Sequence, residues 1–434
     1  MAPLLPSLTL FLPHRRSVLF TFAVKKWRHI VRVGRSNGHK QVFSAGKGRQ
    51  RAAAANLAAA AAALLITQFV SPGSAFADSA PAANADRLYV SAAGSDHLVG
   101  YEMAADSAPR AIAGAKETTG FGAMSVKASA DGRFLFSVAM APTPSIFVFA
   151  IARDGSLTPV PGTPVVTSQA PLAINVSRDG RHLVLVQGPD GSGNATAQGY
   201  SISPEGVPTP AGAPMVVGSL ATSGPIPMVA VSPDNRNVYV ADYLAGAVTR
   251  FELHDDSTLS PARETIRTGG GPVSLTVSPD GEFLFASCEH VSGVAVLRID
   301  PSTGVLTPVP GSPFATGGLT PHGIALSPDG RRLYTPNAIT DTVTGFDVGT
   351  DGSLRPLAGS PYPGGAPGTL PGQVFVSSDG RKVYAVDLAG TSPEPLVALR
   401  SYSIGADGGL TPDPAAPVST GQIFSAASAL VPGR

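Results

Sequence analysis

The sequence predicts an all-β, seven-bladed β-propeller of four-stranded antiparallel blades, on three observations. A Ser-Pro-Asp-Gly turn followed by an apolar run recurs along the chain, its spacing is nearly constant, and a second, proline-rich phrase follows most copies. A period of this length is that of one four-stranded blade per copy. Composition agrees, because 41 Pro and 49 Gly in 434 residues favour short strands joined by turns over long helices.

The turn itself has a direct physical reading. In Ser278-Pro279-Asp280-Gly281, Pro presets φ for a tight turn, Asp bonds nearby backbone amides, and Gly tolerates the exit geometry. The run Glu282 to Ala286 then enters a strand. Further copies begin at Ser232 and Ser327, and looser ones at Ser129, Ser177 and Ser377.

Register fixes the count. Leu88-Tyr89, Leu135-Phe136, Leu183-Val184, Val238-Tyr239, Leu284-Phe285, Leu333-Tyr334 and Val383-Tyr384 are equivalent, separated by 47, 48, 55, 46, 49 and 50 residues. Within one unit, Ser274 to Val277 is a first strand, the Leu-Phe or Leu-Tyr run a second, and Gly293 to Ile299 a third. The phrase Thr303 to Phe314, with variants starting at Asp154, Glu205, Asp256, Asp351 and Asp407, comes last. Its prolines would break a central ladder, so it belongs at the outer edge, where they also discourage aggregation.

The ends complete the ring. Almost no room precedes Leu88 for a first strand once a leader is removed, whereas Gly421 to Ala427 has first-strand spacing and no second strand after it. The C-terminal strand is therefore expected to complete the N-terminal blade, tying the termini together.

Charge divides the chain at about residue 77. Residues 1–77 carry 11 Lys/Arg and no acid, leaving 20 basic against 30 acidic residues in 78–434. So acidic a domain excludes a nucleic-acid partner. The basic segment reads as an export leader: Lys47, Arg49 and Arg51 as the positive region, Leu57 to Val70 as the apolar run, and Ala75-Phe76-Ala77 before a cleavage site. The alternative is a retained N-terminal anchor, although the run is short for a spanning helix. Residues 1–46 fit neither leader nor fold and suggest a mis-assigned start. The expected location is secreted, periplasmic or cell-surface. The single Cys288 forms no intramolecular disulfide and reads as a small buried hydrophobe. Asn175-Val176-Ser177 and Asn194-Ala195-Thr196 match a glycosylation pattern, and the Gly-rich segment 188–194, with no helix after it, reads as a loop and not a phosphate cradle.

Through Ser-Pro-Asp-Gly-Arg-x-Leu-Tyr and Asp-Gly-x-Leu-Thr-Pro-Val-Pro-Gly-Ser-Pro-Phe, residues 86–431 resemble the seven-bladed propellers of the lactonase family, which includes bacterial 6-phosphogluconolactonases. They are also similar to the propellers with Tyr-Val-Thr-Asn repeats. The resemblance implies a lactone hydrolase of 6-phosphogluconolactonase type, or a propeller with no enzymatic role. Lactonase-type members carry Pro-Arg-His before a first strand. Here the nearest stretches are Gly271-Pro272-Val273-Ser274 and Thr320-Pro321-His322-Gly323, which keep one imidazole and no Arg.

In a propeller, the loops before each first strand and between the second and third strands gather at one mouth, where ligand sites lie. The repeat places Asp96, His97, Asp190, Asp242, Tyr243, Arg267, Glu289, His290, His322, Asn337, Asp341, Asp387 and Glu394 there. Arg133, Arg181, Arg236, Arg331 and Arg381, which follow the Asp-Gly or Asp-Asn turns, go to the opposite end. Lactone hydrolysis needs a base to activate water and a donor or cation for the oxyanion. Glu289 or His290 as base, with His322 and Arg267 as electrophilic partners, is the best set. Asp242, Asn337 and Asp387, at equivalent strand ends, either converge as oxygen ligands for Ca²⁺ or each cap their own loop; no other cofactor is expected. Two functions follow: an exported hydrolase of a small or sugar-type lactone, or a non-catalytic secreted propeller binding a protein, glycan or cell-surface ligand. A phosphorylated lactone fits poorly with export and with so few cations at the mouth. A closed ring needs no partner to fold, so a monomer is expected.

Overall fold

A computed structural model describes residues 85–104, 107–219, 228–364, 369–390, 396–414, 417–423 and 426–433. The leader expected over residues 1–77, and Glu394, lie outside the described residues. Among the described residues, no helix is long and apolar enough to cross a membrane.

Seven antiparallel sheets form the ring. In blade 5, Pro272–Val277, Phe283–Cys288, Gly293–Ile299 and Leu306–Pro308 follow one another from the inside outward. The proline-rich phrase does occupy the outer edge, but in two pieces. After Leu306–Pro308, the chain turns at Gly311 and Phe314–Ala315 pairs with the first half of the third strand. Blades 2 and 6 repeat this division with Val165–Val166 and Tyr362–Pro363.

That division corrects the expected closing strand. Val418–Ile423 is blade 7's version of the second edge piece, pairing with Leu396 to Leu399. The segment that closes the ring is the next one, Ala426–Val431, which pairs along Asp86–Ala92 as the innermost strand of blade 1. The closure itself is as expected, a few residues further on.

The turn phrase earns its repetition through side-chain bonding. In all six copies the Ser hydroxyl donates to the Asp carboxylate two residues on, at 2.5 to 2.6 Å. The same Ser oxygen accepts the backbone N–H five residues on, as in Phe283 to Ser278 at 2.9 Å. The turn's exit is left-handed. Gly281 has φ 81°, and where the copy in blade 4 lacks Gly, Asn235 takes φ 61°.

The core lies between blades. Phe285 and Val296 of blade 5 pack with Leu333 and Phe346 of blade 6, and Tyr89 and Leu98 of blade 1 with Leu135 and Phe149 of blade 2. Each such fully buried side chain contributes roughly 1.5–3 kcal/mol. Polar ties cross the same seams. Where the second-strand repeat carries Tyr, its hydroxyl donates to the next blade's outer turn: Tyr89 to Gly155 O (2.8 Å), Tyr239 to Gly304 O (3.1 Å) and Tyr334 to Gly408 O (2.9 Å). Tyr384 of blade 7 donates to Met103 O of blade 1 at 3.2 Å, closing the circle. Glycine in the outer turn is a requirement of space. A Cβ on Gly352, whose φ is +83°, would stand 2.4 Å from the Phe283 ring of blade 5.

Candidate functional site at the mouth of blades 4 to 6

The second strand of blade 5 ends at Cys288, and Glu289–Val291 forms one 3₁₀ turn closed by Ser292 at φ 47°. Glu289 N–H donates to Gly271 O at 3.0 Å, fixing this turn over the entry to the same blade's first strand. From blade 6, His322 arrives on the segment before Ala325–Leu326 and is pinned through its backbone. Its N–H donates to Pro336 O (3.1 Å) and its carbonyl accepts from Ser287 Oγ of blade 5 (3.3 Å).

These constraints bring the side chains together. His322 Nδ1 lies 2.6 Å from Glu289 Oε1, with side chains 3% and 9% exposed. Tyr243, from the loop after the second strand of blade 4, donates its hydroxyl to Glu289 Oε2 at 3.1 Å. The exposed His290 ring stands edge-on to Tyr243 with centroids 4.7 Å apart. A Cβ on Gly271 (φ +58°) would lie 2.9 Å from that ring, so the close approach requires glycine.

The electrostatics follow from burial beside a carboxylate. Burial first, then the Glu289 charge and the hydrogen bond to it, pushes the Tyr243 hydroxyl up to about 12, so it stays a donor. Glu289 fixes the imidazole through Nδ1, which leaves Nε2 as the second ring nitrogen. Nε2 is buried and has no hydrogen-bond partner among the described residues. An oriented imidazole with a carboxylate behind it and one nitrogen uncommitted is the arrangement a general base requires.

The other expected residues are elsewhere. Arg267 ends the outer strand Glu264–Arg267 of blade 4, is exposed, and donates to Ala245 O at 3.3 Å. Asp96 and His97 form their own pair in blade 1 at 2.9 Å, and Asp190 accepts from Ser192 and Asn194 N–H within its loop. Asp242 accepts from Ala245 N–H (2.9 Å), Asn337 donates to Thr342 and Thr344 (3.0 and 2.8 Å), and Asp387 accepts from Arg400 Nη2 (2.9 Å). Each of these three is bonded inside its own blade. Among the described residues no group of three His, Cys, Asp or Glu is placed to hold a metal ion. Arg400 also donates to Asp341 (3.2 Å) and to Gly364 O, and burial outweighs its charge to push the Asp387 carboxyl up to about 6. Sequence reasoning did not single out Arg400. Its signal was a lone cation inside the strand Leu396–Ile404.

A family model described as lactonase, seven-bladed beta-propeller, matches residues 226–320, a window holding Tyr243, Glu289 and His290 and ending just before His322. The chain is similar to the 6-phosphogluconolactonase of Enterobacter sp. (strain 638), 26% identical over 249 residues, 53% of this chain and 68% of that protein. It is also similar to that of Klebsiella pneumoniae (strain 342), 29% identical over 136 residues, 30% of this chain and 41% of that protein. Among solved structures, a putative 6-phosphogluconolactonase from Bacteroides uniformis ATCC 8492 superposes with TM-score 0.64 at 19% identity, covering 80% of this chain and all of that one. The periplasmic gluconolactonase PpgL of Pseudomonas aeruginosa superposes with TM-score 0.63 at 20% identity, covering 80% of this chain and 99% of that one.

Proposed function

We propose that this chain, a lactonase-like seven-bladed propeller, hydrolyses a small uncharged lactone at the mouth between blades 4, 5 and 6. The observation that carries this reading is the 2.6 Å contact between His322 Nδ1 and Glu289 Oε1, with Nε2 uncommitted. It changes the roles expected from sequence: His322 is the base, and Glu289 holds its tautomer.

In the reaction, His322 Nε2 takes a proton from water as the water oxygen adds to the lactone carbonyl carbon. A donor steadies the oxyanion, and the exposed His290, whose ring stands edge-on to Tyr243, is the candidate. Collapse of the tetrahedral species breaks the ring C–O bond, and the leaving alkoxide takes the proton back from His322. The product is a hydroxy acid, which gives up its carboxyl proton to solvent to become the hydroxycarboxylate. Because Nε2 is closed to solvent, the mouth loops must part for substrate to reach it.

The surroundings argue for an uncharged substrate. Arg400 is engaged by Asp387 and Asp341, and Arg267 stands exposed on the outer strand. A phosphate dianion calls for several converging cations. The mouth loops instead expose Leu244, Leu319 and Ile339, at 60%, 50% and 65%.

Turnover of a panel of sugar and alkyl lactones by the wild type, Glu289→Gln and His322→Ala tests the reading. No turnover of any lactone sinks the enzyme, and turnover that both variants retain sinks this site. The burial of the dyad favours a second reading, in which the pair is a tie between blades 5 and 6 and the mouth binds a ligand without chemistry. That reading gains if the wild type turns over nothing.

Export belongs to the same proposal, supported by 11 basic and no acidic residues over 1–77. N-terminal sequencing of the mature protein outside the cytoplasm should begin at Asp78. Retention of the intact chain in the cytoplasm overturns it.

A further inference from the structure

The seven innermost strands surround an axial channel, and their sequences are almost free of charge. Across Ala426–Val431, Ser125–Ala128, Pro171–Val176, Val229–Val231, Pro272–Val277, Ala325–Leu326 and Thr369–Val376, the one ionisable side chain is Lys127. At its register the other blades carry Asn175, Ala230, Thr276, Ala325, Phe375 and Ala429. Lys127 lines a cavity of about 280 Å³ walled by the inner strands of blades 1, 2, 5 and 7 and by residues 323–326 of blade 6. Among the described residues no Asp, Glu, His, Arg, Cys or Tyr lines that cavity, so none of them neutralises the ammonium there.

The same wall holds polar side chains that the fold leaves unbonded. Ser274 Oγ, Ser428 Oγ and Gln373 Oε1 are buried with no hydrogen-bond partner among the described residues. A buried hydroxyl or amide without a partner is costly, and three of them share a cavity with a lone cation. A serine hydroxyl changes direction by a single χ1 rotation.

We propose that this axial cavity is a binding site for a small carboxylate, held by the Lys127 ammonium with the Ser274 and Ser428 hydroxyls as donors. Gln373 supplies an acceptor for the ammonium or for a hydroxyl beside the carboxylate. One cation matches a monoanion and falls short of a phosphate dianion. The cavity also has room for more than a halide ion. The site uses residues on the axis and does not depend on hydrolysis at Glu289 and His322.

Burial lowers the Lys127 amine to about 8, and an anion beside it reverses that shift, so binding and protonation are coupled. The test is thermal unfolding of the full chain at pH 7 with acetate or glycolate against sodium chloride at equal ionic strength. Either carboxylate should raise the wild-type Tm by about 2 °C with a saturating dose response. Lys127→Met should abolish the rise, and Ser428→Ala, which keeps the amine, should weaken apparent affinity several-fold. Affinity should also fall about tenfold per pH unit above about 8. An equal rise in Lys127→Met, an equal rise with chloride, or no saturation overturns the proposal.

Discussion

Asp86 of blade 1 and Ser378 of blade 7 join the two ends of the ring. The Ser378 hydroxyl and backbone N–H donate to the two Asp86 oxygens at 2.6 and 2.8 Å, and Gly433 N–H reaches the same carboxylate at 3.0 Å. Asp86 is 4% exposed, so one buried carboxylate fastens blade 1, blade 7 and the C-terminal segment together.

Replacing it should therefore weaken closure. Asp86→Ala removes three bonds to a buried charged group; water can reach the donors on the exposed Ser378 and half-buried Gly433, so the cost should be about 2 kcal/mol. Deleting residues 426–434, which include the whole inner strand of blade 1, should cost more. Thermal melts of both variants check the order, and a deletion milder than the point change would contradict the strand assignment.

The outer-turn glycine gives a sharper steric prediction. Gly352→Ala places a Cβ 2.4 Å from the Phe283 ring at a φ of +83°, so strain and overpacking add to roughly 2–4 kcal/mol. Gly180→Ala, at a φ of 72° with open space around it, carries only the backbone part. Urea midpoints of the two variants should separate the contributions.

All nine tyrosines are held above their ordinary range, each chiefly by burial. A raised folded-state value means the unfolded chain loses protons first as pH rises. Stability from these groups is thus fully present below pH about 10 and declines above it. Phenolate absorbance should appear as one cooperative step coincident with unfolding. A gradual rise near pH 10 in the folded protein would contradict the tyrosine burial.

Lys127 works in the opposite direction. Its folded value of about 8 lies below the unfolded one, so the penalty of burying the ammonium is complete below pH 8 and fades as pH rises toward 10.5. Because the side chain is only partly buried, Lys127→Met should stabilise by about 1–2 kcal/mol at pH 7, less than the full shift would give. The gain should shrink at pH 9.5, as paired denaturant curves would show.

At the mouth, His322→Ala should lower lactone turnover by about 10² to 10⁴, the usual worth of a positioned base. Tyr243→Phe keeps the dyad and should cost less, since it removes one donor to Glu289. Steady-state rates on whichever lactone the wild type accepts provide the comparison. Equal losses in both variants would point to collapse of the blade 4–5 loops.

The fold was legible because its determinants are local and repeated. Each Ser-Pro-Asp-Gly copy closes its own hydrogen bonds within six residues, so period and register could be read without partners in space. The closing strand was misplaced by a few residues because Ala426–Val431 has little bulk and follows an edge piece of similar spacing. The site was legible only in part. Glu289, His290 and His322 could be placed at one mouth by counting, but the pairing of Glu289 with His322 depends on how neighbouring blades meet. Arg267 looked available because a linear reading cannot tell an outer strand from a mouth loop. Lys127 was missed because attention to loops passes over a charge set inside a short inner strand.

The tyrosine laces are not spread evenly around the ring. Blades 2, 3 and 5 carry Phe136, Val184 and Phe285 at the lacing position, which have no hydroxyl to offer the next blade. Across the seam that follows Phe285, the Glu289–His322 pair supplies a polar bond instead. The residues assigned to chemistry thus double as a rivet. Whatever draws His322 away from Glu289, whether a bound substrate or a proton, slackens the hoop at that seam, and occupancy of the mouth becomes readable as amide exchange between blades 5 and 6.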